Sequence, residues 1–267
     1  MVGQWSSSDP ARRQVNKDPG ATAIVRRWVD LHVRPPLADE AIRNVASTAS
    51  MLGYSMLGLV FTEAASKEKI GEVRKICADY GIDLVSRVDL MVGNRSELLS
   101  MLRKVRRRFE VVGVVCVSGA IAHVAARDQR VDVLNFPANR MLTKGVAELA
   151  SGGMTALEIN AIEIIGTRGF PRINLLSKFR QEARIARRYG VPIVASSGAR
   201  DKFALRAPRD LAFLVASLLD VESQTALKLV SENPLGIVER NREKLSPRHV
   251  MPGVRIVAEK EKTVSAH

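Results

Sequence analysis

The feature that most constrains the fold of this chain is a regular alternation of short β-rich runs with longer amphipathic segments. From Trp28 onwards, seven apolar runs are each followed by a segment with helical periodicity. The predicted strands are Trp28–Val33, Ser55–Thr62, Ile82–Val88, Val111–Val117, Val131–Phe136, Ala156–Ile162 and Pro192–Ser196. The predicted helices lie near residues 39–53, 67–80, 96–109, 119–128, 138–151, 173–189, 208–220 and 222–232.

This alternation predicts the fold class. Strand–helix units in series form a parallel sheet with right-handed crossovers. About seven parallel strands favour an α/β fold of the TIM-barrel-like (β/α) type, and an open doubly wound sheet is the alternative. The segment 96–109 supports the layered arrangement, because Leu98, Leu102, Val105 and Phe109 form one apolar stripe on a helix.

The periodic region has polar segments on both sides. Residues 1–27 show no apolar period and are predicted to be a flexible basic arm. The barrel domain is predicted over 28–236, with Asn233-Pro234 stopping the last helix. Residues 237–267 are charged and interrupted by proline, and they are predicted to be a C-terminal tail.

The charge balance points to a polyanionic partner. Lys and Arg number 41 against 28 Asp and Glu, which gives a net charge of +13. A basic soluble enzyme is the alternative. The aromatic content of 4% argues against a stacking platform for single-stranded bases, so a structured RNA contacted through its backbone fits better. The strongest basic clusters are Arg103–Arg108, Arg168 with Arg172, the outer face of 178–188, Arg200–Arg209 and Arg240–Arg248.

The two cysteines, Cys77 and Cys116, lie in predicted core segments without C-x-x-C spacing, which indicates reduced thiols in an intracellular protein. No apolar run reaches the roughly 18 residues that span a bilayer, and the N-terminus lacks the apolar core of a signal peptide. We therefore expect a soluble cytoplasmic protein without a membrane partner.

The first strand carries the one motif that suggests metal chemistry, Asp30-Leu-His-Val-Arg34. Metal-dependent phosphoesterases of the polymerase-and-histidinol-phosphatase type begin with a similar strand bearing His-x-His, and alternate residues on a strand point to one side. Here the second position is Arg34, whose charge repels a metal. Because the other strand ends supply no second cluster of ligands, we expect no metal and no catalytic residue in this chain.

The loop Ser197–Arg209 is the strongest candidate binding surface. It follows the seventh strand, at the end of the sheet where α/β proteins usually place function. The loop contains four cations and a single acid, Asp201; the cations are Arg200, Lys202, Arg206 and Arg209. Further candidate RNA contacts are Arg168, Arg172 and Arg107. Phe203 and Leu205 in the same loop are alternative anchors for a protein partner.

Four segments resemble one family. They are Val133-Leu-Asn-Phe-Pro137, Ser197-Gly-Ala199, Leu205-Arg-Ala-Pro-Arg-Asp-Leu211 and Val230-Ser-Glu-Asn-Pro234. Their order and spacing resemble protein component 3, the p30-type subunit, of archaeal and eukaryotic ribonuclease P. The similarity runs from about Val29 to Pro234, and the N-terminal arm and the C-terminal tail fall outside it.

The resemblance implies a TIM-barrel-like fold, remotely related to the phosphoesterases above, and a non-catalytic RNA-binding subunit. In such a ribonucleoprotein the RNA removes 5′ leaders from precursor tRNA, with Mg²⁺ expected at the RNA and no cofactor on this chain. The implied partners are ribonuclease P RNA, precursor tRNA and a small RRM-like protein subunit, in a heterodimer or a dimer of heterodimers. The alternative is a free-standing metal-dependent phosphoesterase of barrel fold, with His32 and His123 as metal ligands.

Overall fold

The centre of the structure is a sheet of seven parallel strands. The computed structural model describes residues 26–247, 249–251 and 254–255. The strands follow one another in the sheet in the order of the sequence, each hydrogen-bonded to the next. They are β1 (Val29–Val33), β2 (Met56–Phe61), β3 (Asp83–Leu90), β4 (Val111–Val115), β5 (Val133–Asn135), β6 (Ala156–Asn160) and β7 (Ile193–Ser196).

The sheet nearly closes on itself. Val33 in β1 forms an isolated parallel bridge with Ala199, just after β7, and the Arg34 backbone N–H donates to the Ala199 carbonyl at 2.7 Å. The register of β1 against β2 shifts between Asp30 and Val33. The predicted TIM-barrel-like (β/α) fold is therefore confirmed, and the open sheet is wrong.

Helices surround the strands. The described residues form α1 (Asp39–Met51), α2 (Lys67–Ala78), α3 (Arg95–Val105), α4 (Gly119–Arg127), α5 (Lys144–Ser151), α6 (Ala161–Ile165), α7 (Gly169–Tyr189), α8 (Pro208–Leu219), α9 (Ser223–Leu229) and α10 (Glu232–Leu245). The stripe Leu98, Leu102, Val105 and Phe109 is buried as predicted. None of the helices in the described part of the chain is long and apolar enough to cross a membrane.

Among the boundaries that differ from the sequence prediction, two shape the end of the barrel where the strands finish, the mouth. The predicted strand Ala156–Ile162 ends at Asn160, and its last residues belong to α6. The helix predicted from 138 begins only at Lys144, where the Thr143 side chain accepts a hydrogen bond from the Val146 N–H. Residues 136–143 thus form a loop at the mouth of the barrel.

The C-terminal helix α10 is the largest departure from the sequence prediction. Asn233-Pro234 does not stop a helix. Pro234 lies in the first turn of α10, where a backbone N–H has no acceptor within the helix, so proline is tolerated there. The helix continues to Leu245, past the predicted boundary at 236. Two short antiparallel strands follow, β8 (His249–Met251) and β9 (Val254–Arg255). The predicted arm 1–27 falls almost entirely outside the described residues.

Helix α10 forms the floor of the barrel. Ile237 and Val238 are buried in one apolar cluster with inward residues of β1 to β7. These strand residues are Val29, Leu31, Met56, Val85, Val111, Val133, Ala156 and Val194. A separate and larger apolar layer fills the space between the strands and the outer helices.

Polar groups clamp α10 in place. Asn241 Nδ2 donates to the Glu110 carbonyl and to Asp132 Oδ1, both at 2.8 Å. Arg242 donates to both carboxylate oxygens of Asp83 at 2.7 Å. Arg242 was predicted to lie in a charged C-terminal tail, but the structure engages it in holding α10 against the barrel.

A candidate nucleic-acid interface at the barrel mouth

The interior of the barrel, above its apolar floor, holds a buried ion cluster centred on Arg87. This side chain projects from β3 and is completely buried. Its guanidinium donates to both oxygens of Glu158 on β6, at 2.5 and 2.6 Å, and to Asp89 Oδ1 at 2.8 Å. A fourth hydrogen bond reaches the Leu31 carbonyl at 3.0 Å. Bidentate, charge-assisted pairing of this kind fixes the geometry of both carboxylates.

His32 links the two carboxylates on the side of the mouth. Its Nδ1 lies 2.9 Å from Glu158 Oε2, and its Nε2 lies 3.2 Å from Asp89 Oδ2. Arg34 Nε donates to His32 Nε2 at 2.6 Å, so Arg34 covers the cluster where it meets solvent. Burial and Arg87 lower the pKa of His32, but Glu158 and Asp89 outweigh them and raise that pKa above its usual value.

Electrostatics keep both carboxylates ionised. Burial alone raises the pKa of Glu158 and of Asp89, yet the adjacent charge of Arg87, with a smaller effect from His32, brings the pKa of both groups well below the ordinary range. The cluster is thus a closed set of compensating charges. Its groups hydrogen-bond to one another instead of pointing into an open cleft.

The structure does not bring His32 and His123 together. His32 is buried inside the barrel, whereas His123 is exposed on α4 and its Nδ1 donates to the Gly119 carbonyl at 2.7 Å. His123 lines a cavity of about 240 Å³ between α4 and the loop 136–143. Within the described residues, no group of three or more His, Cys, Asp or Glu is arranged to hold a metal ion.

Hydrogen bonds order the loop after β7 at its start and in its middle. The Ser197 N–H donates to the buried Asp30 carboxylate at 3.2 Å, and Gly198 adopts a φ of 67° that favours glycine. Asp201 Oδ1 accepts from the N–H groups of Phe203 and Ala204 at 2.9 and 3.0 Å. A surface ordered before binding loses less entropy when a ligand arrives.

The four predicted cations of this loop fall into two groups. Arg200 and Arg209 are exposed, and no ion pair between described residues involves either guanidinium. Lys202 is half-buried, with Nζ 3.5 Å from Asn44 Oδ1 on α1. Arg206 donates from Nη1 to the carbonyls of Phe203 and Leu205 in its own loop, at 2.9 and 2.7 Å. Arg200 and Arg209 are therefore the cations most available to a partner.

The secondary candidates lie at opposite ends of the barrel. Because the strands are parallel, loops that follow strands share one end, the mouth. Arg168 and Arg172 are exposed at the start of α7 and belong to the mouth. Arg107 is also exposed but lies between α3 and β4, at the floor end. The structure thus groups Arg168 and Arg172 with the loop after β7 and separates Arg107 from them.

Several other predicted surface cations are engaged in packing. Arg106 Nη1 donates to Asp132 Oδ2 at 2.6 Å, and Arg108 donates to the carbonyls of Glu63 and Ala65. Lys178, predicted on the outer face of its helix, is buried and donates to the Phe136 carbonyl at 2.6 Å. Phe136 lies 42 residues away in the chain, which is why a run of cations there suggested a solvated face.

Lys178 and Glu182, on adjacent turns of α7, hold the loop 136–143. Glu182 Oε1 accepts the Leu142 N–H at 3.0 Å. Burial raises the pKa of Glu182 to about 7, although Lys178 and the Leu142 N–H oppose this. Burial likewise lowers the pKa of Lys178. This loop is therefore anchored by two ionisable groups away from solvent.

Exposed aromatic side chains accompany the cations at the mouth. Phe170 at the start of α7 is 82% exposed and Phe203 in the loop after β7 is 79% exposed, whereas Phe136 is buried. Phe136 is therefore a packing residue. Exposed phenylalanines beside arginines are a composition typical of protein interfaces.

Sequence reasoning missed Arg87. The available signal was an arginine inside the predicted strand Ile82–Val88, two residues before Asp89, a spacing that places both side chains on one face. The main partner, Glu158, is 71 residues away in the chain. Only the closed sheet brings the two together.

Comparison with known proteins places the described barrel in a family. The model of the family described as RNase P subunit p30 matches residues 27–246. Similar relatives named ribonuclease P protein component 3 include those of Methanococcoides burtonii, 30% identical over 86% of this chain and 94% of the relative, and Methanosarcina acetivorans, 31% identical over 83% and 92%.

Solved structures agree on the fold. A chain in the cryo-EM structure of archaeal ribonuclease P with mature tRNA has a TM-score of 0.75 and 24% identity, covering 88% of this chain and 100% of that one. Aspergillus niger ochratoxinase, at a TM-score of 0.55 and 10% identity, covers 79% of this chain and 71% of its own. At these identities the likenesses establish the barrel alone.

Proposed function

Since this chain belongs to the RNase P subunit p30 family, we propose that it is a protein subunit of the ribonuclease P ribonucleoprotein, which removes 5′ leaders from precursor tRNA. The observation that carries the proposal is the family match over 27–246, which spans the barrel and its floor helix. The proposed ligands are the RNA subunit and precursor tRNA. We also propose that the protein functions in the cytoplasm.

The mouth of the barrel is the proposed RNA-binding surface. Arg200 and Arg209 on the loop after β7, with Arg168 and Arg172 at the start of α7, present exposed guanidinium groups at one end of the molecule. Guanidinium groups pair well with phosphate oxygens, and phosphate neutralisation supplies much of the affinity for RNA. Lys202 adds charge to the same loop. Arg206 contributes chiefly by holding the loop.

Catalysis is assigned to the RNA subunit, with Mg²⁺ bound there. In this chain the residues closest to a catalytic set, His32, Asp89 and Glu158, are engaged with Arg87 and with each other. A general acid or base must reach a substrate atom directly or through one water. These buried, mutually hydrogen-bonded groups support a binding role for the barrel.

A small RRM-like protein subunit is the proposed protein partner, in a heterodimer or a dimer of heterodimers. Phe170 and Phe203 are its proposed anchors, because both are exposed aromatics set among arginines. Hot spots of protein interfaces combine residues of these kinds. Arg168 and Arg172 lie beside Phe170, so RNA and protein contacts are proposed to adjoin at the mouth.

Reconstitution tests the proposed function. Ribonuclease P RNA is assembled with its full set of protein subunits, with and without this chain, and 5′-leader cleavage of precursor tRNA is measured. We expect omission of the chain to reduce cleavage, and the chain alone to cleave nothing. Full cleavage without the chain, or metal-dependent cleavage by the chain alone that is lost in His32→Ala, would contradict the proposal.

A further inference from the structure

Two cavities on the outer wall of the barrel share one exposed side chain, His123. The first, of about 390 Å³, lies between α3 and α4. The second, of about 240 Å³, lies between α4 and the loop 136–143 and extends to Val146 on α5. We call the two cavities together the α3–α5 groove. Because the strands follow one another in sequence order, this groove lies on the opposite side of the barrel from the loop after β7.

Three arginines with free guanidinium groups line the groove. They are exposed, and no hydrogen bond or ion pair between described residues involves their guanidinium nitrogens: Arg95 on α3, Arg127 on α4 and Arg140 between β5 and α5. Asp128 is the one acid among the described residues that line the groove, and Arg130 donates to both of its carboxylate oxygens, at 2.8 and 2.5 Å. The groove therefore carries a net positive charge, which suits a polyanion.

The hydrogen bond of His123 determines what the groove can recognise. The Gly119 carbonyl, 2.7 Å from Nδ1, can only accept, so Nδ1 carries the proton. In the neutral ring Nε2 is then a hydrogen-bond acceptor. None of the described residues hydrogen-bonds to Nε2, and the neighbouring Gly145 has no side chain to cover it, since a β-carbon there would lie 3.7 Å away. The groove thus presents one free acceptor among free cations.

We propose that the α3–α5 groove binds the backbone of one RNA strand, with its arginines on phosphate oxygens and His123 Nε2 accepting a hydrogen bond from a ribose 2′-hydroxyl. The inference rests on the proposed function and adds a contact on the outer wall to the surface at the mouth. A 2′-hydroxyl can donate to Nε2, and DNA lacks this group. A carboxylate offers only acceptors, so an acidic protein segment satisfies the arginines but leaves Nε2 without a donor.

The lining of the groove favours contact with the backbone over contact with bases. Beside His123, the aromatic residue among the described lining residues is Phe136, which is buried. Bases that bind proteins without sequence preference stack on exposed aromatic faces, and the groove offers none from a phenylalanine, tyrosine or tryptophan. Phosphate contacts position an RNA without reading its sequence. We therefore expect the groove to bind RNA with little dependence on base sequence.

The first experiment measures the salt dependence of binding between the full chain and labelled ribonuclease P RNA by fluorescence anisotropy. Arg95→Ala/Arg127→Ala should reduce the slope of log K against log salt by about 1.4, from two phosphate contacts on a single strand. Both side chains are exposed, so the variant should fold as wild type does. The matched control, Lys75→Ala/Lys104→Ala, removes the same charge from exposed positions of α2 and α3 outside the groove and should leave the slope unchanged.

The second experiment tests the 2′-hydroxyl contact. A short single-stranded RNA and its 2′-O-methyl counterpart, which keeps the sugar oxygen but has no proton to donate, are titrated at pH 8, where the neutral imidazole is favoured. Wild type should bind the RNA about two- to tenfold more tightly, as one hydrogen bond allows. His123→Phe should bind both strands equally. Arg200→Ala/Arg209→Ala should keep the preference, because it changes the mouth and not the groove.

Several results would overturn the proposal. An unchanged slope in Arg95→Ala/Arg127→Ala, or an equal change in the control, would reject RNA as the occupant and favour an acidic protein segment. Equal binding of the two strands by wild type, or a preference that persists in His123→Phe, would reject the 2′-hydroxyl contact. Failure of wild type to bind ribonuclease P RNA would reject the groove and the mouth together. Failure of the groove variants alone, with 5′-leader cleavage still dependent on this chain, would reject this inference and leave the proposed function standing.

Discussion

Loss of the charges of Arg200 and Arg209 should flatten the salt dependence of RNA binding. Both side chains are exposed on a loop whose backbone is fixed by Asp30 and Asp201, and no ion pair within the described structure occupies them. Their replacement by Ala should therefore remove phosphate contacts while leaving the loop in place.

The expected magnitude follows from counterion release. Each phosphate neutralised contributes a slope of about −0.7 on single strands and about −0.9 on a duplex in log K against log salt. The double variant Arg200→Ala/Arg209→Ala should thus reduce the slope by about 1.4 to 1.8. Between 50 and 200 mM salt it should lose roughly tenfold less affinity than wild type.

Fluorescence anisotropy with labelled ribonuclease P RNA over this salt range measures the slope directly. The matched control is Arg103→Ala/Lys104→Ala, which removes the same charge from exposed positions at the floor end of α3. An unchanged slope in the loop variant would refute the assignment of these arginines to phosphate. An equal change in the control would show that the total charge of the chain matters and its position at the mouth does not.

Three further predictions concern the barrel itself. Asn241→Ala should lower the free energy of unfolding by about 1–3 kcal/mol in urea denaturation, because it removes two buried hydrogen bonds, to the Glu110 carbonyl and to Asp132 Oδ1. Glu182→Gln should gain stability relative to wild type as pH rises from 5 to 8, by at most about 3 kcal/mol, and an unchanged difference would contradict this. Wild type loses stability over this range because the pKa of Glu182 is raised to about 7, so the stabilising contribution of its protonated form is present at low pH and lost as the carboxyl ionises. Gly113→Ala should destabilise the barrel, visible as a lower Tm, since its β-carbon would overlap Asp89 Oδ1; an unchanged Tm would show that the ion cluster can move aside.

Local patterns were enough to predict the strands and the barrel. Each of the seven predicted runs contains a strand, because buried parallel strands are continuous apolar segments with turn residues at their ends. The main error, the failure to predict helix α10, came from reading Pro234 as a stop. In the first turn of a helix proline costs no hydrogen bond, and only the burial of Ile237 and Val238 distinguishes the two roles.

The site was predictable only in part. The loop after β7 was identified because its cations are adjacent in sequence, and Arg200 and Arg209 are exposed as expected. Arg106 and Arg242 were placed among free cations because their carboxylate partners lie 26 and 159 residues away. A single sequence shows the charge composition but not which charged side chains pair in the folded protein. That pairing decides whether an arginine stabilises the fold or is available to a partner.

The proposed role as a ribonuclease P subunit requires that this chain be bound to ribonuclease P RNA in the cell. The most direct measurement is to purify the tagged full chain from its native cell at low salt and to sequence the RNA that remains bound. We expect strong enrichment of ribonuclease P RNA together with precursor tRNA, and loss of both after a high-salt wash. Recovery of the chain without RNA, or with RNA that resembles the total cellular pool, would contradict it.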